Sequence, residues 1–130
     1  MKTSPSLLLL VPMAVLGICG GCASLDATNA VHGGNSYGAA AYAPSTQDWR
    51  LRWQAADPRR ARQTALADCG PTDCQIVLEF GPGQCGTLAL GQNGYGVGKG
   101  DSPEAAETAA LGECRRTDEN CRVVPAECNS

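Results

Sequence analysis

The chain has 130 residues, with ten Lys and Arg against thirteen Asp and Glu for a net charge of −3, one His and eight Cys. One Phe, two Trp and three Tyr stand beside sixteen Gly, so large apolar side chains are scarce, and a core this thin calls for covalent support. The acidic balance excludes a nucleic-acid footprint, which needs a basic stripe; the basic residues gather only at Arg59, Arg60 and Arg62.

At the N-terminus, Met1-Lys2 precedes an uncharged apolar run from Leu7 to Ile18 that contains Pro12. A bilayer-spanning helix needs about 20 apolar residues; this run is shorter and reads as the apolar region of a secretory signal. Gly20-Gly21-Cys22-Ala23 follows and resembles the bacterial lipobox, in which the Cys receives diacylglycerol and becomes the mature N-terminus. Cys19 is the competing position, but it follows the bulky Ile18. Residues 1–21 are therefore expected to be a lipoprotein signal peptide and Cys22 the lipidated residue. Removing Lys2 leaves nine basic against thirteen acidic side chains, a mature charge of −4. Ala23, rather than Asp, resembles sorting to the outer membrane. Residues 22–36 are small and polar without an apolar period and read as a flexible tether. His32 lies in that tether with no other ligand type beside it, which makes it a solvated residue.

Residues 37–130 form the expected domain. Tyr37 to Tyr42 reads as a strand, Pro44 to Asp48 as a turn, and Trp49-Arg50-Leu51-Arg52-Trp53 alternates as a half-buried strand does. Asp57-Pro58 supplies an N-cap and a proline at the first helical position, so a helix runs to Cys69. A strand follows from Cys74 to Phe80. The order then repeats: Cys85 to Leu90, a turn at Gly91-Gln92-Asn93-Gly94 carrying the Asn-Gly hairpin marker, Tyr95 to Lys99, Ser102-Pro103 opening a helix to Cys114, and a last strand from Cys121. Pro58 and Pro103, and Ala65-Leu66-x-x-Cys69 and Ala110-Leu111-x-x-Cys114, coincide at a shift of 45. The predicted fold is α+β: two pseudo-symmetric strand–strand–helix–strand units forming an antiparallel sheet of about six strands with two Ala-rich helices packed on it.

Six cysteines follow Cys22: Cys69, Cys74, Cys85, Cys114, Cys121 and Cys128. An even number in a small exported chain reads as three disulfides. Zinc is disfavoured, because the spacings exceed paired C-x2-C and His32 lies outside the cysteine region; no metal or cofactor is expected. Six cysteines allow 15 pairings, which the repeat narrows. Cys69 and Cys114 each end a helix, while Cys74 and Cys121 each open the next strand. Equivalent bridges are then Cys69–Cys74 and Cys114–Cys121, leaving Cys85 for Cys128. The symmetric alternative, Cys69–Cys114 with Cys74–Cys121, requires two helix ends to meet, although neighbouring helices sit about 10 Å apart.

These motifs, together with Cys85-Gly86-Thr87-Leu88-Ala89, Tyr95-Gly96-Val97-Gly98 and Ser102-Pro103-Glu104-Ala105-Ala106, resemble the bacterial domain-of-unknown-function family 4189 over Tyr37 to Cys128. The resemblance implies an exported, often lipid-anchored protein and brings no established catalytic residues. The Trp49 to Trp53 stretch is more basic and aromatic than the family's usual Gly-rich segment.

Gly94 to Gly100 invites a phosphate-loop reading, but Lys99 is followed by Gly100 instead of Ser or Thr. Strictly alternating glycines suit a strand with one bare face. Catalysis lacks a base beside any nucleophile, and the carboxylates Glu79 and Glu127, the pair available for glycoside hydrolysis, are not brought together by anything in the sequence. Arg59, Arg60 and Arg62 open the first helix and Asp68 closes it, against the helix dipole, which points to an acidic partner outside the fold. Trp49, Trp53 and Tyr95 serve either as core or as anchors for a sugar or a protein. The chain is thus expected to be no enzyme. It reads as a lipid-anchored binding module facing the periplasm, touching the membrane only through its anchor, with Arg59, Arg60, Arg62, Trp49, Trp53 and Tyr95 meeting a periplasmic or secreted protein. An immunity-type inhibitor of a secreted toxin or envelope hydrolase is the concrete form, and a structural or glycan-binding envelope lipoprotein the alternative.

Overall fold

A computed structural model describes residues 35–130; the signal peptide, Cys22 and His32 lie outside the described residues, as does the tether up to residue 34. Strands β1 (Tyr37–Ala43) and β2 (Asp48–Ala55) lead into helix α1 (Pro58–Cys69) and strand β3 (Gln75–Phe80). Strands β4 (Cys85–Leu90) and β5 (Tyr95–Gly100) lead into α2 (Pro103–Cys114) and the short strands β6 (Arg122–Val123) and β7 (Glu127–Cys128). Both helices start as their caps dictate. The Asp57 carboxylate accepts from the Arg60 backbone N–H at 2.8 Å, and the Ser102 hydroxyl accepts from that of Ala105 at 3.1 Å, each cap worth about 1 kcal/mol.

The strands divide between two antiparallel sheets where the sequence suggested one. The first has the order β2-β1-β3; in the second, β4 lies between β5 and β6 and also pairs with β7. β1 is flanked by β2 and β3, and β4 by β5, β6 and β7, all from its own unit, and the two sheets stack through their apolar side chains.

Period-two alternation then assigns the faces. Ala39, Ala41 and Ala43 of β1 pack with Ala61 and Ala65 of α1, while Ala40 turns to the opposite side and joins Leu51, Leu78, Phe80 and Leu88 between the sheets. Ala89, Ala110 and Cys114 make the corresponding contact of α2 with the second sheet. The layers run helix, sheet, sheet, helix. The single Phe holds the centre: a Cβ on either Gly38 or Gly86 would strike the Phe80 ring, so the ring fills the space that a glycine in each sheet leaves open, at a gain of about 1.5–3 kcal/mol.

Alternating glycines in β5 form a bare strand face, as their spacing predicts. A Cβ on Gly96 would collide with the backbone of Ala110 and Cys114, and one on Gly98 with that of Ala106 and Ala110; α2 therefore lies backbone to backbone on β5. The disulfides are Cys69–Cys74, Cys85–Cys128 and Cys114–Cys121, the pairing expected from the repeat.

The final strand of the second unit breaks at Val124-Pro125-Ala126, where proline has no N–H for the ladder. The buried Thr87 hydroxyl donates to the Val124 carbonyl across the break. Beyond Cys128, the buried Asn129 side chain donates to the carbonyls of Phe80 and Gly81 and accepts from the backbone N–H of Gln54. One amide thus ties the chain end to β2 and β3, leaving no polar cost for its burial.

Candidate ligand-binding cleft

Two hairpin turns stand at one end of the sandwich, and each is clamped by an aspartate that the sequence reading did not single out. Asp73 lies within the Cys69–Cys74 loop and accepts from the Ser45 backbone N–H at 2.8 Å and its hydroxyl at 2.7 Å. Asp118 lies within the Cys114–Cys121 loop and accepts from the backbone N–H groups of Asn93 at 2.7 Å and Gln92 at 3.2 Å. Each follows its helix-ending cysteine by four positions, so they coincide at the same shift of 45 as the helices. Hydrogen bonds from Ser45 hold the Asp73 carboxyl below the usual aspartate range, and those from the turn, Asn93 first, do the same for Asp118. Gly91 admits the second clamp, since a Cβ there would collide with the Asp118 carboxylate.

Between the turns lies an open cleft of about 530 Å³ whose walls include Tyr42, Gln47, Trp49, Gln92, Asn120 and Arg122. The Gln47 Nε2 donates to the Gln92 carbonyl at 2.9 Å and links the two turns. Tyr42 is 4% exposed and its ring centroid lies 4.2 Å from that of Tyr95; burial, followed by the neighbouring Tyr95 and Asp118, raises its phenol pKa. Trp49 is half-buried against the inter-sheet core. Its remaining surface faces this cleft and also a second hollow of about 470 Å³ beside Trp53, Pro125 and Glu127. Gln47 (φ 61°) and Asn120 (φ 56°) hold left-handed backbone, a strained choice for a residue such as Gln.

The residues expected from sequence to meet a partner lie on different faces of the domain. Trp49 packs on the inner face of the first sheet, Trp53 is exposed at 40%, and Tyr95 is a support for Tyr42. Arg59 and Arg60 lie exposed on α1, across the sheet from Trp49, beside a separate shallow hollow with Asp57 and Gln63. The Arg62 guanidinium donates to Glu79 at 2.7 Å in an exposed pair, and Asp68 at the end of α1 pairs with Arg52 at 2.6 Å. Two of the helix charges that run against the dipole are thus answered by neighbouring strands. Glu79 and Glu127 line different hollows. All six cysteines of the domain are bridged. Sequence reasoning passed over Gln47, Gln92, Asn120 and Arg122, which carry no motif; the two clamps, in contrast, were signalled by Asp73 and Asp118 recurring at the repeat shift.

Relatives share this arrangement of chain. The protein is similar to the uncharacterized protein Rv1813c of Mycobacterium tuberculosis, 38% identical over 93 residues, which are 72% of this chain and 60% of that one. It is also similar to protein Rv1269c of the same species, 33% identical over 75 residues and 58% of each chain. The chain spans about 60% of the length of the first of these relatives. Among solved structures, the NMR structure of Rv1813c superimposes with a TM-score of 0.55 at 30% identity, covering 99% of this chain and 94% of the other. Residues 37–128, from the first strand to the last bridged cysteine, match the domain of unknown function DUF4189, and with its repeat, its two helices and its bridges the chain belongs to that family.

Proposed function

We propose that the protein is a non-enzymatic binding module of the bacterial envelope, anchored through a lipid on Cys22, facing the periplasm from the outer membrane, and binding its ligand in the cleft beside Trp49. The observation that carries this reading is the make-up of the cleft wall: an aromatic platform, three side-chain amides and one guanidinium, fixed by two clamped turns. Such a wall holds a polar ligand and supplies neither a nucleophile with a base nor an acid pair. The family resemblance to exported proteins and the Gly20-Gly21-Cys22 sequence support the location. A toxin or hydrolase inhibited through the arginines of α1 finds less support, because Arg62 is paired with Glu79 and Arg59 and Arg60 stand away from the aromatic cleft.

Two measurements test the proposal. Mass spectrometry of the mature N-terminus is expected to find diacylglycerol on Cys22; an unmodified terminus elsewhere overturns the anchor. The detergent-solubilised protein is expected to sediment with isolated envelope fragments, and Trp49→Ala to weaken that binding at least about tenfold, as loss of an aromatic anchor does. Undiminished sedimentation of Trp49→Ala, or no sedimentation of the wild type, overturns the cleft as the binding face.

A further inference from the structure

We infer that the cleft takes an acidic oligosaccharide, laid along β2 with a sugar ring against Trp49 and a carboxylate toward Arg122. This rests on the binding reading above and names its ligand class. The choice between an extended peptide and a sugar is made by the edge of β2. A peptide adding as a strand needs free backbone groups at that edge. Here the Arg50 guanidinium donates to the Trp49 carbonyl at 2.6 Å and that of Arg52 to the Leu51 carbonyl at 3.1 Å. Charged side chains folded over an edge in this way block strand addition, so Trp49 stays available while the backbone beside it does not.

What remains open is side-chain chemistry suited to a polyol. A sugar ring offers a C–H face to an aromatic plane and a rim of hydroxyls that both donate and accept, which a carboxamide matches with both of its ends. Among the described residues, the side-chain amides of Gln92 and Asn120 and the Arg122 guanidinium make no hydrogen bond within the protein, and Gln47, which spends its N–H on Gln92, keeps its carbonyl oxygen. Among the described residues, the cleft wall contains one charged side chain, Arg122, and no carboxylate, which sets the sign of the ligand. The wall is also prearranged. Gln47 and Asn120 are held in left-handed backbone, Gln47 at the end of the turn that Asp73 clamps and Asn120 in the bridged loop that carries Asp118, so little ordering is left to oppose binding.

Length follows from the second hollow. It adjoins the first at Trp49 and offers Trp53 four residues further along the strand, roughly 13 Å at strand rise, a span for more than one ring. That hollow is lined by Arg50 and Arg52 as well as Glu127, with both guanidinium groups turned onto backbone carbonyls and Arg52 also paired with Asp68, so the acid is assigned to Arg122, whose guanidinium makes no hydrogen bond among the described residues, and further rings to the Trp53 end.

The test is titration of the full mature protein, followed by tryptophan fluorescence, with three probes: neutral chitobiose, a disaccharide containing N-acetylmuramic acid, and a tetrasaccharide containing glucuronic acid. At least one acidic probe is expected to bind about tenfold or more tighter than chitobiose, and the better of the two identifies a cell-wall or a uronic-acid source. Arg122→Gln, an exposed position, should remove that preference by weakening the acidic probe at least about tenfold more than chitobiose, while Trp49→Ala should weaken every probe, with circular dichroism confirming that both variants fold. Equal affinity for acidic and neutral probes, or a preference that survives Arg122→Gln, overturns the inference. If no probe binds while envelope sedimentation still depends on Trp49, the saccharide is overturned and the binding module stands, its ligand then being a protein.

Discussion

The half from Tyr37 to Phe80 and the half from Cys85 to Cys128 run through the same elements in the same order, yet they seat their helices differently. In the first, α1 lies over a strand of alanines, with Ala39, Ala41 and Ala43 meeting Ala61 and Ala65 side chain to side chain. In the second, the backbone of α2 lies directly on Gly96 and Gly98 of β5, with only the methyls of Ala105 and Ala109 beside it. The first hairpin is longer and bulged, with a register shift between Tyr37 and Ala39 and a left-handed Gln54; the second pairs without interruption from Cys85–Gly100 to Leu90–Tyr95. That bulge receives the chain end, since Gln54 bonds to Asn129, Cys128 and Ser130. The lesson is that a duplicated unit keeps its topology while the two copies divide the remaining work: one copy provides the close-packed seam, the other the dock for the terminus and the aromatic edge.

Three perturbations sharpen this contrast, beginning with the strongest. The Cys85–Cys128 bridge spans 43 residues and has no counterpart in the first half, whereas Cys69–Cys74 spans 5. Loop-closure entropy gives about 4 kcal/mol for the long bridge and about 2 kcal/mol for the short one. Urea unfolding of the Cys85→Ala/Cys128→Ala protein should therefore show nearly twice the loss of the Cys69→Ala/Cys74→Ala protein; equal losses would mean that the terminus is held by Asn129 and the sheet alone.

Next comes the helix seam. Gly98→Val sets a side chain against the backbone of α2, which cannot rotate away, and should cost about 3 kcal/mol or more. Ala41→Gly in the first half removes one methyl from a side-chain contact and should cost about 1 kcal/mol. Chemical denaturation of the two variants measures the difference, and a mild effect of Gly98→Val would show that α2 can lift from β5 freely.

The smallest effect is shared by both halves. Hydrogen bonds from Ser45 and from the Asn93 turn lower the folded pKa values of Asp73 and Asp118. The unfolded chain then binds protons more readily than the folded one just below the ordinary aspartate value of about 3.9. The stability these groups contribute is complete above that value and is lost as pH falls through their lowered folded values. Melting temperatures followed from pH 6 to pH 2 should fall less steeply at the acid end for Asp73→Asn/Asp118→Asn than for the wild type. Parallel acid limbs would mean that the turns stand without their clamps.

Local chemistry determined much of this protein before any tertiary contact was known. Asp57-Pro58 and Ser102-Pro103 start helices because a cap oxygen and a fixed φ act within one turn. Trp49 to Trp53 alternates because a strand places successive side chains on opposite faces. The pairing of six cysteines followed from the repeat, since equivalent sequence makes equivalent loops. Tertiary structure alone decided the rest. Two sheets form in place of one, each strand pairing within its own unit while Ala40, Leu51, Leu78 and Phe80 stack on Leu88 between the sheets, a matter of pairing that no local pattern encodes. Arg62 is paired at the surface because Glu79, 17 residues away on β3, lies within reach of α1. The cleft exists because turns 45 residues apart come together at Gln47 and Gln92, and polar side chains on separate turns carry no periodic signal until the fold sets them side by side.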